Sequence, residues 1–585
     1  MVISKELYKN MTFQFMAILI TFFSFLLLEL IVLGSISFKY IEIFIATAIS
    51  INITSFLAVS QKQYYQKFVV LFFSFIGVLA IKIITQENMN GEDIKYLLAF
   101  YTGITNLYLI LLFIFNNKFK INKTINYVCL FFLFLPTIFI YEYFFISGNF
   151  ISTDTILALF QTNISETKSY IDTFIGVWQY IGLLILFLLL FLIVKFSNNL
   201  KFHNINIKIL VILIISLLCN AFLVYRYKTN LLSEIFFDTK QALADFKDFK
   251  DNVASRKVAD IKPDNVNNIN GGIYVLVIGE SQNKKHMSAY GYDKKTTPWL
   301  DGMETNDNFI KFTNVYSCHT QTVPVLTYAL TSKNQYNNIA LQNAISVLDV
   351  AKACNIKTAW LSNQVHYGGY DTPVSVIADT AQQQKWINNN IGLTTRTKYY
   401  DIKLIDELNK IKIYDNMLIV IHLMGNHGSY GDRYPKKYNV FGEKNKHTKY
   451  DNSIFYNDYV VKNIYETVKN FSNFKVLLYC SDHSEAVDQN LGHDASQFVP
   501  DMTYIPMYLY VSDSYKKDNI NIFNNLYKNK DSYFTNDLLF NLILGILNIK
   551  ISDIYEKDND ITGTNYNNNF NRFKTLHGKK NIKKI

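Results

Sequence analysis

The sequence predicts a multi-pass α-helical membrane region followed by an α/β domain built on a mainly parallel sheet. Three observations carry this expectation. Long apolar runs crowd the first 225 residues and thin out afterwards. From Ile273 on, short apolar runs alternate with helical stretches, the pattern of a sheet covered on both faces. Acidic and imidazole side chains then collect just beyond the ends of those short runs, where such sheets bind their ligands.

The apolar runs come first. Half of the 585 residues are hydrophobic and only 18% are charged, a low fraction for a soluble chain. TFQFMAILITFFSFLLLELIVLG (12–34) is followed by runs near 40–59, 67–85, 96–116, 126–147, 171–194 and 207–225. Several reach the roughly 20 residues that cross a bilayer. A soluble fold assembled from so many uncharged runs would be short of polar surface.

Charges between the runs alternate. Lys5 and Lys9 precede the first run, Lys62 and Lys67 follow the second, Lys118, Lys120 and Lys123 the fourth, and Lys195, Lys201 and Lys208 surround the sixth gap. Glu87, Glu92, Asp93, Asp154 and Glu166 mark the intervening gaps. By the positive-inside rule the N-terminus is cytoplasmic, and seven crossings put the chain after Tyr225 outside. The first run is too long for a cleavable signal, and no small-residue cleavage site follows it. The expected organisation is a transmembrane region over 1–225, a bridge over 226–270 and an exported domain over 271–585.

In the bridge, LLSEIFFDTKQALADFKDFKDNV (231–253) has helical spacing with one apolar side. It suits either the membrane surface or the face of the exported domain. DNVNNINGG (264–272) reads as a linker. The net charge of +10 fits anionic lipid headgroups, whereas a membrane region and an exported domain argue against nucleic acid. Of five cysteines, Cys318, Cys354 and Cys480 fall in the exported part, with no CxxC motif, so no disulfide framework is indicated.

In the exported part, IYVLVIG (273–279), KTAWLS (357–362), MLIVIHLM (417–424), KVLLYC (475–480) and PMYLYV (506–511) are the expected strands. NAISVLDVAKAC (343–354) and FYNDYVVKNIYETVKNF (455–471) are expected helices. The first strand leads into Glu280-Ser281, the third into Gly425-Asn426-His427-Gly428, and the fourth into Ser481-Asp482-His483, with His493 ten residues on. Carboxylates and imidazoles converging on one sheet edge suit zinc, and a catalytic zinc keeps one position for a reacting group.

SCHTQTVPVLTYALTSK (317–333) adds two hydroxyls, Thr320 and Thr322. Pro324 fits the first turn of a helix, so Thr322 falls near the N-cap. Two readings stay open from the residues alone. Thr322 is either a cap or a nucleophile set where helix N–H groups favour an anion.

These segments resemble the membrane-bound phosphoethanolamine transferases. VLVIGESQNKKHMSAYGYDKKTTPWLD (275–301), HLMGNHGSYGDRYP (422–435), YDNSIFYNDYVV (450–461) and SDHSEAVDQNLGHD (481–494) are similar to the family's motifs and stand in its order. DTILALFQTNISET (154–167) resembles its external loop. HMSAYGY and ALTS are similar to the branch acting on inner-core heptose phosphate. The resemblance implies an alkaline-phosphatase-like, sulfatase-like catalytic domain in the periplasm, anchored in the bacterial inner membrane. It implies that Glu280, Asp482, His483 and Thr322 hold one zinc ion, with Thr322 the nucleophile. His427 and His493 would contact the transferred phosphate or a second metal ion during turnover. Asn363 and His366, and more distantly His319, are further substrate-side candidates. The implied donor is phosphatidylethanolamine and the acceptor lipopolysaccharide, at a lipid A phosphate or the inner core.

The chain departs from the family in two ways. It has seven apolar runs where the family is described with five crossings. It also lacks the paired cysteines of several lipid A enzymes. Competing readings are a tethered sulfatase or phosphodiesterase, a glycerolphosphate transferase of the same superfamily, and a non-catalytic membrane scaffold. TVPVL lacks the arginine of a sulfatase C/S-x-P-x-R segment, GNHGSYGDRYP points away from the glycerolphosphate enzymes, and a scaffold has no use for Glu280, Asp482 and His483 together.

Overall fold

The computed structural model describes residues 151–161, 175–197, 231–264, 271–365, 372–388 and 399–584, with isolated positions between 107 and 225. The first three apolar runs, all but isolated positions of the fourth, fifth and seventh, and most of the 264–272 linker lie outside this set. The chain divides into two compact units, Met1–Thr153 with Phe174–Thr239, and Asp154–Thr173 with Lys240–Ile585.

In the first unit, helix α2 (Val177–Ser197) runs 21 residues and is apolar up to Lys195. Among fully described residues no helix is long and apolar enough to cross a membrane; several side chains of α2 lie outside the described set. Ahead of it, α1 (Thr153–Gln161) belongs almost wholly to the second unit. Helix α3 (Leu231–Ser255) starts in the first unit and ends in the second. Its last turns pack on the domain. Phe249 is fully buried, Phe246 and Val253 lie against the same core, and the Asn252 amide donates to the Gln342 carbonyl at 2.9 Å. Phe236 and Phe237, near its start, are exposed.

The second unit is built on a seven-stranded sheet. Its strands are β1 (Ile273–Gly279), β2 (Phe309–Phe312), β4 (Lys357–Ser362), β5 (Gln383–Trp386), β6 (Met417–His422), β7 (Phe474–Ser481) and β8 (Met507–Val511). The short β3 (Val315–Tyr316) pairs elsewhere with β9 (Phe534–Thr535). The order is β2-β8-β7-β1-β6-β4-β5. Strands β7, β1, β6, β4 and β5 are mutually parallel. β8 is antiparallel to both β7 and β2, so one strand of the seven is reversed.

Every residue of β1 is buried, because successive side chains enter two different cores. Tyr274, Leu276 and Ile278 join one, with Trp360, Leu418, Val420 and Leu478 from neighbouring strands. Ile273, Val275 and Val277 join the other, with Leu361, Ile419, Ile421 and Leu477. This is why the central strands read as unbroken apolar runs. The second core is closed by α5 (Lys446–Val468), whose first turn is capped by Asn445. In the chain between α3 and α5 comes α4 (Thr322–Ala329), whose Val325, Leu326 and Ala329 join the first core. Cys318, Cys354 and Cys480 are buried free thiols.

Candidate metal centre

Strand register brings the cluster together. Gly279 at the end of β1 faces Ser481 at the end of β7. The next residue on each strand, Glu280 and Asp482, therefore emerge side by side, with His483 following. Glu280, Asp482 and His483 each offer a buried ligand atom, all within 4.8 Å of one another. His483 Nε2 lies 3.3 Å from Glu280 Oε1 and 3.4 Å from Asp482 Oδ2.

The backbone around the cluster is tight. Asp482 Oδ1 accepts from the Ser281 and His483 N–H groups at 3.0 and 2.6 Å. Ser281 has φ = 56°, a left-handed conformation that serine seldom takes and that tends to mark functional turns. Tyr450 braces this turn, its hydroxyl donating to the Ser281 carbonyl and accepting from the Asn283 N–H. Gly425 has φ = +50°, and a Cβ there would fall 2.8 Å from the Glu280 carbonyl oxygen and 2.9 Å from its nitrogen. Gly425→Ala is therefore expected to displace Glu280. It should lower stability by about 1–3 kcal/mol and reduce metal retention, both readable from a thermal melt with bound zinc measured in parallel.

The three groups divide charge unequally. Burial disfavours charge on all three groups. His483 is nonetheless pushed up to about 10 by Asp482 and Glu280 beside it. Glu280 resists its burial and stays well below the carboxylate range because His483 faces it. Asp482 is driven well above that range by burial and by Glu280. Asp482 Oδ2 is buried and has no hydrogen-bond partner. His483 Nδ1 stands 3.1 Å from the Ser484 carbonyl, which leaves Nε2 for the cluster. Two carboxylates, one imidazole and an orphaned carboxylate oxygen are a donor set that fits a divalent ion, and zinc in particular.

Thr322 is the fourth member. It is the first residue of α4, and the cap position is Gln321, which makes no side-chain cap bond. The Thr322 side chain points instead into the cluster. Its hydroxyl donates to Glu280 Oε2 at 3.1 Å and lies 3.3 Å from His483 Nε2. Thr320 Oγ1 is buried without a hydrogen-bond partner.

On the other side, His493 lies ring to ring with His483 at 4.6 Å and with His427 at 6.0 Å. Burial holds His427 down to about 4, so it is neutral at pH 7 although its edge reaches solvent. Asn363 is turned to a different task. Its amide donates to Asp401 Oδ1 at 2.7 Å and to the Tyr399 carbonyl at 3.1 Å, and its side-chain carbonyl accepts from Asn388. His366 lies outside the described residues. His319 Nε2 faces Asp154 Oδ2 at 3.6 Å.

Three contributors escaped the sequence reading. Glu485 is buried, bonds His493 Nδ1 at 2.7 Å and accepts from the Tyr430 hydroxyl. It stands inside SDHSEAVD, so a carboxylate eight residues before a loop histidine was the available signal. Asp401 accepts from the Met424 and Gly425 N–H groups at 2.9 Å each and so shapes the loop beneath Glu280; nothing local marked it. Gln364 reaches the Leu423 carbonyl at 2.8 Å and Glu280 Oε2 at 3.5 Å.

Comparison with known proteins places this geometry. Residues 273–549 match the Sulfatase family model. The phosphoethanolamine transferase EptC of Escherichia coli K12 is 30% identical over 264 residues, covering 41% of this chain and 45% of that protein. The phosphoethanolamine transferase EptA of Helicobacter pylori is 29% identical over 263 residues, covering 42% and 48%. The chain thus spans about half the length of the curated relatives it matches. Among solved structures, the periplasmic domain of E. coli EptC, in complex with zinc, superposes with a TM-score of 0.50 at 25% identity, over 56% of this chain and 95% of that one. The integral membrane phosphoethanolamine transferase EptA of Neisseria meningitidis shares the fold, with a TM-score of 0.60 at 18% identity over 88% and 98%. Residues 273–549 thus resemble the Sulfatase family, and the curated relatives similar to the chain are named phosphoethanolamine transferases.

Proposed function

We propose that this protein is a zinc-dependent phosphoethanolamine transferase that modifies lipopolysaccharide from the periplasmic side of the bacterial inner membrane. The observation that carries the reading is the Thr322 hydroxyl lying 3.1 Å from Glu280 and 3.3 Å from His483 in one largely buried cluster. The names of the relatives supply the group transferred. The apolar runs of residues 1–225 would tether the domain beside its lipid donor, with the N-terminus cytoplasmic and residues 271–585 outside.

A zinc ion held by Glu280, Asp482, His483 and Thr322 would depress the pKa of the threonine hydroxyl and offset charge on the phosphoryl oxygens. Thr322 Oγ1 attacks the phosphorus of phosphatidylethanolamine. The new bond is Thr322 Oγ1–P, the bond broken is P–O to diacylglycerol, and the threonine proton ends on the departing alkoxide. An acceptor phosphate or hydroxyl on lipopolysaccharide then displaces Thr322. The first N–H groups of α4, free of helical partners, would face the phosphoryl oxygens. His493, held by Glu485, and His427 would contact the same oxygens, His427 as a neutral donor. The same two imidazoles would be the residues to hold a second ion during turnover.

The direct test compares lipopolysaccharide by mass spectrometry from cells with and without the gene. A phosphoethanolamine increment on lipid A or core that disappears with the gene supports the proposal. An identical lipopolysaccharide profile in both refutes it.

A further inference from the structure

A second group of metal-binding side chains lies apart from the cluster above and shares no residue with it. His286 is in the turn that follows Glu280, His447 is the second residue of α5, and Asp488 is in the 486–492 turn. Asp488 Oδ1 stands 3.6 Å from His286 Nε2 and 3.1 Å from His447 Nδ1. Donor atoms on a tetrahedral ion with bonds of about 2.0–2.1 Å are separated by roughly 3.3 Å, which brackets both spacings.

The surroundings of His286 favour a ligand over a simple ion pair. Its Nδ1 is 3.0 Å from Asp451 Oδ1, and Asp451 is fully buried. The other Asp451 oxygen is already met by Lys294 at 2.6 Å and by the Tyr292 hydroxyl at 3.2 Å. Donation from Nδ1 to Asp451 fixes the tautomer that leaves the Nε2 lone pair aimed at Asp488. A carboxylate behind a histidine whose far nitrogen faces other donors is the usual support of a metal-bound imidazole. The His286 side chain is 4% exposed, whereas those of His447 and Asp488 are 35% and 57% exposed. One rigid ligand and two adjustable ones thus face solvent. The two rings are 6.4 Å apart, so the exposed His447 side chain has to swing inward for both imidazoles to reach a common ion.

We propose that His286, His447 and Asp488 form a second divalent-cation site, zinc being the best match to its donors. The placement gives it a consequence. Asp488 lies in a turn closed by pairing of Ala486 with Gly492, and the residues just outside that closure, Glu485 and His493, are the bonded pair beside the first cluster. An ion at Asp488 ties this turn to the start of α5 and to the segment that follows Glu280. It therefore fixes the frame that holds His493. The role of His493 rests on the proposed function; the metal site itself does not.

The test is zinc binding by the purified full-length protein, stripped of metal and titrated with zinc chloride, with bound zinc counted by elemental mass spectrometry. Cobalt substitution supplies a visible-absorption signature of each site. His447→Ala and Asp488→Ala alter half-exposed side chains and should leave the fold intact, as circular dichroism would verify. Each is expected to remove one equivalent of zinc, or to weaken it at least tenfold, along with one component of the cobalt spectrum. Combining either with Asp482→Ala should remove a further equivalent. Wild-type stoichiometry and cobalt spectrum in both single variants would overturn the proposal and leave an ion-pair network. So would complete loss of bound zinc in a folded Asp482→Asn variant.

Discussion

Thr322→Ala is expected to abolish transfer, by a factor on the order of 10⁴ or more, as loss of a covalent nucleophile typically does. Thr320→Ala is expected only to weaken it. The two threonines share one short segment, and their local sequence does not separate them. Their surroundings do. The Thr322 hydroxyl is within 3.1 Å of Glu280 and 3.3 Å of His483, while Thr320 Oγ1 is buried and unpaired. Losing the Thr320 hydroxyl removes no hydrogen bond, and its effect would come through packing next to the nucleophile. The Thr322 variant keeps Glu280, Asp482 and His483 and should still bind zinc, more weakly. Initial rates of phosphoethanolamine transfer, with zinc content measured on the same samples, separate loss of chemistry from loss of metal.

Asp482→Asn should be nearly as damaging through a different route. Asp482 has two oxygens in two roles. Oδ1 accepts from the Ser281 and His483 N–H groups, and Oδ2 is buried, makes no hydrogen bond and faces the His483 ring at 3.4 Å. Alanine would remove both and orphan two buried donors, costing about 1–3 kcal/mol each. Asparagine keeps the first acceptor and replaces the second with an amide N–H₂ that cannot bind a cation. The expected outcome is a folded protein with zinc affinity reduced by 100-fold or more and activity reduced in step. Zinc should raise the melting temperature of the wild type, since an ion bound only by the folded state stabilises it. That shift should vanish in Asp482→Asn. An undiminished zinc-dependent shift in the variant would remove Asp482 from the metal site.

The parallel centre of the sheet was legible because β1, β4, β6 and β7 are buried on both faces and leave unbroken apolar runs. β8 was equally visible as a strand, yet its reversal was not, because an apolar run carries no direction. The edge strands β2 (FIKF) and β5 (QQKW) escaped. Each is four residues long, and three of the four residues of β5 are polar, so neither rises above a loop in the sequence. Helix α5 begins nine residues earlier than its apolar spacing suggested, at Lys446. Its first turns are polar, and the start is set by the Asn445 capping box. Two readings of 231–253 stood open, and the packing of Phe249 accounts for its C-terminal half.

The carboxylate–imidazole cluster was legible because Glu280, Asp482 and His483 follow recognisable strands, so parallel register had to bring them to one edge. What the sequence could not carry was the set of long-range partners. Asp401 and Tyr450 act through backbone groups of distant segments, and Gly425 matters through a close approach visible only in three dimensions. Pro324 pointed to a helix start near Thr322, and α4 does begin there. The physical reason for singling out Thr322 nevertheless changed, from proximity to a cap to a hydroxyl aimed at Glu280 and His483.

The most direct measurement of the central claim is peptide mass spectrometry of the zinc-loaded full-length protein after incubation with phosphatidylethanolamine and no acceptor. A phosphoethanolamine adduct is expected on Thr322, absent from Asp482→Asn and released when lipopolysaccharide is added. An adduct on Thr320 or Ser281, or transfer to lipopolysaccharide at full rate with no adduct at any stage, would contradict it.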